Sequence, residues 1–473
     1  MAKFYVTTTL PYVNAEPHIG FAMEIIRADV LARAHRQNGD EVFFNTGTDE
    51  HGQKIYQKAV EAGMDPQKYC DEWAAKFGKL KEALNLSYDN FIRTTDEHHI
   101  KAAQEFWKLC LNNGDIYKKL YKVKYCVGCE LEKTDSELEN GRCPLHPNLE
   151  IQLIEEENYF FKFSNYQEKL IELYTVNPNF IVPEFRQKEM QAFVAAGLQD
   201  FSVSRLKSKM PWGVEVPFDP DHVMYVWFDA LVNYISCLGW PDNEQKFEEY
   251  WPGIQLCGKD NLRQQTAMWQ AMLMSAELPT SKQVLVGGFL LSNGQKMSKS
   301  LGNVINPMEY VDKYGTDAVR YFLTAQVSVF EDSDVTKERF EEAYQAGLAN
   351  GIGNLCARVA AMCEKEGIEV ERQPMTMRSE IMDLIGKFEF EKAMEKIWEA
   401  IKEADTQINL KQVWKLEGDD KKEALNELVL RVRQIGVDLS PFMPATSEKI
   451  LKQFNNGPVK KSEPLFMRLQ NEG

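Results

Sequence analysis

The sequence has no apolar run approaching the roughly 18–20 residues that a membrane span needs. Its first residues, MAKFYVTTTL, hold no long apolar region or small-residue cleavage site, so no signal peptide is expected. Positive charge is short. Against 71 Asp and Glu there are 55 Lys and Arg, a net −16 that excludes a generally basic nucleic-acid coat. Any nucleic acid must then be held at local patches by specific contacts. Nine cysteines, odd in number and mostly scattered, fit a reducing compartment better than a disulfide framework, so a cytoplasmic location is expected. Internal repeats and low-complexity segments are absent. No Gly-x-x-x-x-Gly-Lys-Ser/Thr stretch occurs either, which excludes a P-loop nucleotide site.

What is present is an ordinary globular composition, 44% hydrophobic and 27% charged over 473 residues. That length suits about three domains. Over residues 1–114 short apolar runs alternate with helical patterns. Phe4–Val6 and Val42–Phe44 read as buried strands, each followed by a helix, the signature of a parallel sheet with crossover helices. Over 115–221 the texture changes to closely spaced cysteines, EEEN and YFFKF, which reads as an inserted domain. Alternation resumes over 222–290 with VMYVWFDA, IQLCGKD and QVLVGGFLL, so a sheet begun before the insertion is expected to be completed after it. A lysine-bearing loop region covers 291–340. From 341 to 473 the spacing of Ile381, Leu384 and Phe388, and of Leu425, Leu428 and Val432, is helical and predicts an all-helical bundle. The expected fold class is α/β: a Rossmann-like parallel sheet split by a cysteine-bearing insertion and followed by helices.

Three stretches carry chemistry. In LPYVNAEPHIGF, residues 10–21, a strand ends and an amphipathic helix is predicted to open, with Pro17 just inside its start. His18 then sits at a helix N-terminus, where free backbone N–H groups attract phosphate, and Gly20 lets a nucleotide approach the backbone. Alone, such a His-x-Gly is more often a cap or a packed histidine. The stretch GQKMSKSLGN at 294–303 has two lysines, two serines and flanking glycines, suited to clamping polyphosphate; its bland alternative is a solvated surface loop. Third, Cys126-x-x-Cys129 and Cys143-x-x-His146 pair soft ligands at spacings that suit one tetrahedral zinc with no open position, hence a structural ion. Gly128 is expected to supply the tight turn of the first pair. Cys70, Cys110, Cys237, Cys257, Cys356 and Cys363 are expected to pack as small hydrophobes.

Together the chain resembles the class I aminoacyl-tRNA synthetases. His18-Ile19-Gly20-Phe21 matches their first signature, His-x-Gly-His, at all but its last position, and Lys296-Met297-Ser298-Lys299-Ser300 matches the second completely. Order, separation and insertion match too. YVNAEPHIG, GTDEHGQ, YVWFDA, GKD and GGFLL before KMSKS resemble the methionyl-tRNA synthetase family, bacterial type, with one zinc knuckle. Two positions depart from the pattern. Phe21 cannot donate to a phosphate, and Gln265 stands where a histidine would follow GKD.

The resemblance implies methionine activation with Mg-ATP to methionyl-adenylate and pyrophosphate, then transfer to the 3′ end of tRNA(Met), initiator tRNA included. By the same resemblance His18, Gly20, Lys296 and Lys299 are catalytic and, with Glu24 and Asp260, bind ATP. Leu10, Tyr12, Asp49, Trp227, Tyr234 and Gln265 would hold methionine, Asp49 taking the ammonium. On residues alone, core packing for each aromatic and a loop or cap role for Asp49 stay open, as does a structural role for His51. Cys126, Cys129, Cys143 and His146 would hold one structural zinc. Asn354 and Arg358, four apart on one helix face, and Trp414 look like anticodon readers; the alternative is helix surface for the first two and core for Trp414. Since the chain ends after the helices, without an extra tRNA-binding domain, a monomer is expected. Another class I synthetase, a small-molecule nucleotidyltransferase and a non-enzymatic zinc-bearing RNA-binding protein are the alternatives.

Overall fold

The computed structural model describes residues 2–297 and 303–469. Strand β1 (Lys3–Thr8) is buried along nearly all its length, as a strand covered on both faces must be. Phe4 and Val6 point into one hydrophobic core, while Tyr5 points into a second on the opposite face. Helix α1 (Ile19–Gln37) packs on the first face. Strands β2 (Glu41–Thr48) and β3 (Asn90–Arg93) extend the sheet to one side of β1, and α2 (Gln53–Glu61) leaves the end of β2.

After β3 the chain enters β4 (Ile116–Cys126), β5 (Leu131–Lys133) and β6 (Gln152–Phe161), three strands of a four-stranded antiparallel sheet. A two-residue strand, β7 (Ile181–Val182), then joins the far edge of the main parallel sheet from within the stretch expected as an insertion. The four-stranded sheet is completed by β8 (Phe201–Ser202), and β9 (Ser204–Leu206), β10 (Glu215–Val216) and β11 (Asp219–Met224) form a small antiparallel sheet of their own. VMYVWFDA was expected to resume the alternation. Only its first two residues are strand, in β11, and Val226–Leu231 is a helix. A short apolar run carries no period that separates a buried strand from a buried helix.

The main sheet is completed by β12 (Ile254–Gly258) and β13 (Gln283–Gly287), in the order β3-β2-β1-β12-β13-β7, all parallel. The chain thus leaves β1 toward β2 on one side and returns much later to β12 on the other. The ends of β1 and β12 flank the topological switch point, where open parallel sheets bind ligands.

From Lys337 to the last described residue, the regular elements are all helices apart from the two-residue pair Glu369–Val370 and Gly457–Pro458. The bundle shares one continuous core with the α1 face of the sheet. Arg320 pins the two together. Its fully buried guanidinium meets Asp29 of α1 at 2.8 Å and donates to the carbonyls of Pro441 and Phe442, each at 2.8 Å. Among the described residues no helix is long and apolar enough to cross a membrane.

Candidate active site

The site is built at the ends of β1, β2 and β12. Thr9, the first residue past β1, donates its amide to Leu256 of β12 at 3.1 Å. Its amide also donates to Glu24 of α1 at 2.8 Å, and its hydroxyl makes a second hydrogen bond to the same carboxylate oxygen. Burial pushes the Glu24 carboxyl up to about 8, opposed by the Thr9 donors and reinforced by the charge of Asp260. Asp260 is exposed in the turn after β12. A Cβ at Gly258 would lie 2.7 Å from its carboxylate, so glycine lets that carboxylate fold back over the strand end.

His18 is the N-cap of α1, and Pro17 therefore lies before the cap rather than inside the helix. Its Nδ1 accepts from the amides of Gly20 at 3.1 Å and Phe21 at 3.4 Å. With Nδ1 accepting, a neutral ring carries its proton on Nε2, a donor at the helix start. The amides of Gly20 and Phe21 are thus already used by the cap. A Cβ at Gly20 would meet the His18 ring at 3.0 Å, so a side chain there would press on the capping imidazole and glycine leaves it room. Phe21 is buried, edge-on to Phe77 with ring centroids 5.6 Å apart. The helix is also less amphipathic than its apolar positions imply: Arg27 and Asp29 are buried as well, each with partners.

Lys296 lies in a two-residue strand, Gln295–Lys296, paired antiparallel with Leu290–Ser292. Lys299 lies outside the described residues. The described residues resume at 303, and the amide of Ile19 donates to the carbonyl of Ile305 at 3.0 Å, tying that segment to the start of α1.

Tyr12 and Asp49 pair as an isolated parallel bridge beyond the ends of β1 and β2. Asp49 is 4% exposed, and its Oδ1 is buried without a partner among the described residues. Burial, with the charges of Asp229 and Glu130 added, pushes its carboxyl well above the usual range. A buried carboxylate oxygen with no donor is costly unless a donor arrives with the ligand. Leu10 packs half-buried against the second core. Trp227 is half-buried on the helix Val226–Leu231, its Nε1 likewise without a partner among the described residues. Two residues on, Asp229 meets His51 Nδ1 at 2.8 Å and ties that helix to the end of β2. Tyr234 and Gln265 are both buried, and the Gln265 amide donates to the Tyr234 hydroxyl. Gln255 of β12 in turn donates to Gln265 at 3.2 Å. Tyr12 is thus paired with Asp49, His51 with Asp229, and Tyr234 with Gln265.

Cys126, Cys129, Cys143 and His146 converge, their ligand atoms all within 4.8 Å of one another. Cys129 Sγ lies 3.5 Å from Cys143 Sγ and 3.2 Å from His146 Nδ1. A tetrahedron with Zn–S near 2.3 Å has ligand–ligand edges of about 3.8 Å, so the set fits a metal ion. Gly128 serves it by space rather than by a positive φ. A Cβ there would fall 2.4 Å from the His146 ring, and the left-handed residue of the turn is Glu130, at φ +50°. The six remaining cysteines are buried.

Asn354 and Arg358 lie on the helix Asn354–Glu366. Arg358 is engaged by Asp405 and donates to Asn409 at 2.8 Å. Trp414 is 47% exposed in a short turn just after the helix Phe390–Leu410, so it is not a core residue.

Sequence reading missed Glu130 and Asp229, and it left His51 undecided. Each meets a partner more than 100 positions away, and no local spacing signals that.

Comparison with known proteins identifies the family. The family described as tRNA synthetases class I (M) matches residues 4–152 and 136–360. The methionine–tRNA ligase of Thermotoga maritima is 41% identical, covering 97% of this chain and 76% of its own length. That of Rickettsia bellii is 38% identical over 99% of this chain and 95% of its own. Mycobacterium tuberculosis methionyl-tRNA synthetase in complex with methionyl-adenylate superposes with a TM-score of 0.92 at 34% identity, covering 99% of this chain and 100% of that one. The chain belongs to the class I (M) tRNA synthetases, the methionyl family.

Proposed function

We propose that this chain joins methionine to tRNA in two steps at one site. Methionine's carboxylate attacks the α-phosphorus of ATP in line; the new O–P bond gives methionyl-adenylate, and the bond to pyrophosphate breaks with its electrons on the leaving group. The terminal ribose hydroxyl of tRNA(Met) then takes the methionyl group, and AMP leaves. The relatives named methionine–tRNA ligase, together with the solved methionyl-adenylate complex, support this reading.

The observation that carries it is the unpartnered, buried oxygen of Asp49. An ammonium placed there supplies the missing donor, lowers the carboxyl's affinity for its own proton and fixes the carboxylate end of the amino acid. Leu10, Tyr12 and Trp227 would line the apolar part, and Tyr234 held by Gln265 would close it; aromatic faces suit a thioether. In the ATP site Glu24 and Asp260 would meet the nucleoside. His18 would direct Nε2 at the α-phosphate, Gly20 would keep the backbone close, and Lys296 and Lys299 would hold the pyrophosphate. This is catalysis by positioning and charge stabilisation, with little covalent chemistry asked of the protein. ATP would enter as its Mg²⁺ complex.

The three cysteines and His146 would hold one zinc, which fixes the fold of its own loops and leaves no position for substrate. Asn354, Arg358 and Trp414 would read the anticodon, initiator tRNA included. The organisation into two catalytic halves, 1–114 and 222–290, around the insertion 115–221, from which Ile181–Val182 returns to the edge of the main sheet, then the lysine loop and stem region 291–340 and the bundle 341–473, suits that division of labour. The protein would act as a cytoplasmic monomer.

Exchange of labelled pyrophosphate into ATP, run with each amino acid in turn, tests the reading. Exchange with methionine alone is expected. Exchange with a different amino acid, or with none, would overturn it.

A further inference from the structure

Glu130 directly follows Cys129, yet its side chain turns away from the cysteine–histidine cluster. It is 1% exposed, and its φ of +50° is one a non-glycine residue adopts at some cost. One carboxylate oxygen accepts the Tyr12 hydroxyl at 2.8 Å, and the other accepts the Lys54 amide, at the start of α2, at 3.0 Å. Gly52, at φ +105°, makes room for it: a Cβ there would lie 3.1 Å from Oε2 and 3.3 Å from Oε1. Lys54 reaches back the other way. Its ammonium donates to the carbonyl of Gly128, inside the first cysteine pair, at 2.9 Å and sits 5.5 Å from the Tyr12 ring centroid. Tyr12 in turn is bridged to Asp49. An unbroken path therefore runs from Cys129 through Glu130 and Tyr12 to the carboxylate with the unpartnered oxygen.

We propose that Glu130 is a positioning residue for the amino-acid pocket, holding Tyr12 and the start of α2 in place from the knuckle. The proposal rests on the methionine-activating reading of that pocket. The chemistry of the contacts explains why a carboxylate stands there. Two donors converge on one side chain, which calls for two acceptors, and the N-terminus of α2 favours negative charge. A Tyr12 hydroxyl committed to Glu130 fixes the ring beside Asp49. A residue serving only the knuckle would have no need to reach Tyr12, beyond the end of β1, and the start of α2.

The test uses the full-length chain with Glu130→Gln, which turns one acceptor into a donor, and Glu130→Ala, which removes both. The KM for methionine and the KM for ATP in pyrophosphate exchange are read with direct methionine binding in the absence of ATP, and with metal content. In Glu130→Ala the methionine KM and Kd are expected to rise about ten-fold, the scale of one lost hydrogen bond to a charged group. Glu130→Gln should show a smaller rise. In both the ATP KM stays within about two-fold and metal content matches the wild type, the pocket alone having lost a contact. Adding Tyr12→Phe to Glu130→Ala should bring little further loss, because the two act through one contact. Should Glu130→Ala fail to fold, Glu130→Gln and Tyr12→Phe carry the same comparison. Methionine and ATP constants rising together, or metal lost from Glu130→Gln, would overturn the proposal. A wild-type chain with methionine-dependent exchange and an unaffected Glu130→Gln overturns this inference alone; a wild-type chain without it overturns the underlying reading as well.

Discussion

The backbone amide of Ile19 donates to the carbonyl of Ile305 at 3.0 Å, joining the start of α1 to the chain leaving the lysine loop. Residues 286 positions apart in the sequence (305 − 19) are thus one hydrogen bond apart. The described residue Ile305 is thereby anchored beside the His18 imidazole that caps α1, on the α1 side of the sheet ends rather than beside Asp49.

Lys299→Ala is expected to slow methionine-dependent pyrophosphate exchange by about 100-fold or more, with methionine Kd unchanged. Its charge would act on the leaving pyrophosphate, an interaction made mainly as the bond breaks. Equal losses in methionine binding and in exchange would contradict this.

Phe21→His restores the histidine that the signature pattern has at this position, but the structure gives the side chain a packing task. Its ring lies edge-on to Phe77 in the main core. A polar ring there is expected to cost about 1–3 kcal/mol of stability, with the exchange rate changed by less than about three-fold. Thermal unfolding beside the exchange assay checks it; a large rate gain at unchanged Tm would show that the position faces substrate.

The Glu24 carboxyl, pushed up to about 8, gives a pH signature. A carboxyl whose folded pKa lies above its unfolded value favours the folded chain while protonated. That contribution is fully present below the ordinary carboxylate range and is lost as pH rises through about 8. Glu24→Gln should therefore flatten the fall in Tm of the ligand-free protein between pH 5 and pH 8. Parallel Tm curves for wild type and variant would count against it.

Trp414→Ala is expected to weaken tRNA charging by about ten-fold or more and leave methionine-dependent pyrophosphate exchange nearly intact, since the first step needs no tRNA. At 47% exposure the residue offers an open ring for an unstacked base, a contact of about 1–3 kcal/mol. Its removal should shift Tm little. Charging that stays at the wild-type level would place anticodon reading elsewhere.

The features legible in the sequence are those whose information is local. Cys126, Cys129, Cys143 and His146 announce themselves because two short spacings each deliver a pair of ligands to one point, whatever the rest of the chain does. Phe4–Val6 and Val42–Phe44 announce strands because short apolar runs suit a sheet covered on both faces, whereas the burial of the polar ends, Thr7 and Thr8 of β1 and Asn45 to Thr48 of β2, had no such signal. Other elements gave no such signal. Ile181–Val182 is too short to show a period, and VMYVWFDA shows an apolar run without one.

By itself the sequence determined that a parallel sheet with crossover helices precedes a helical bundle, that one compact metal-ligand set lies in the stretch between sheet segments, and that a histidine opens the first helix. Only the tertiary structure decided what these elements do to one another. It made Gly20 and Gly128 clearances for imidazoles, turned Phe21 inward, left Trp414 outside, and set Glu130 against Tyr12 and His51 against Asp229. The physical reason is that periodicity and spacing encode which face of an element is buried and which ligands are neighbours along the chain. Which distant partner a buried polar group meets is fixed only when packing closes over it, and there each unsatisfied donor or acceptor must find a partner or await a ligand.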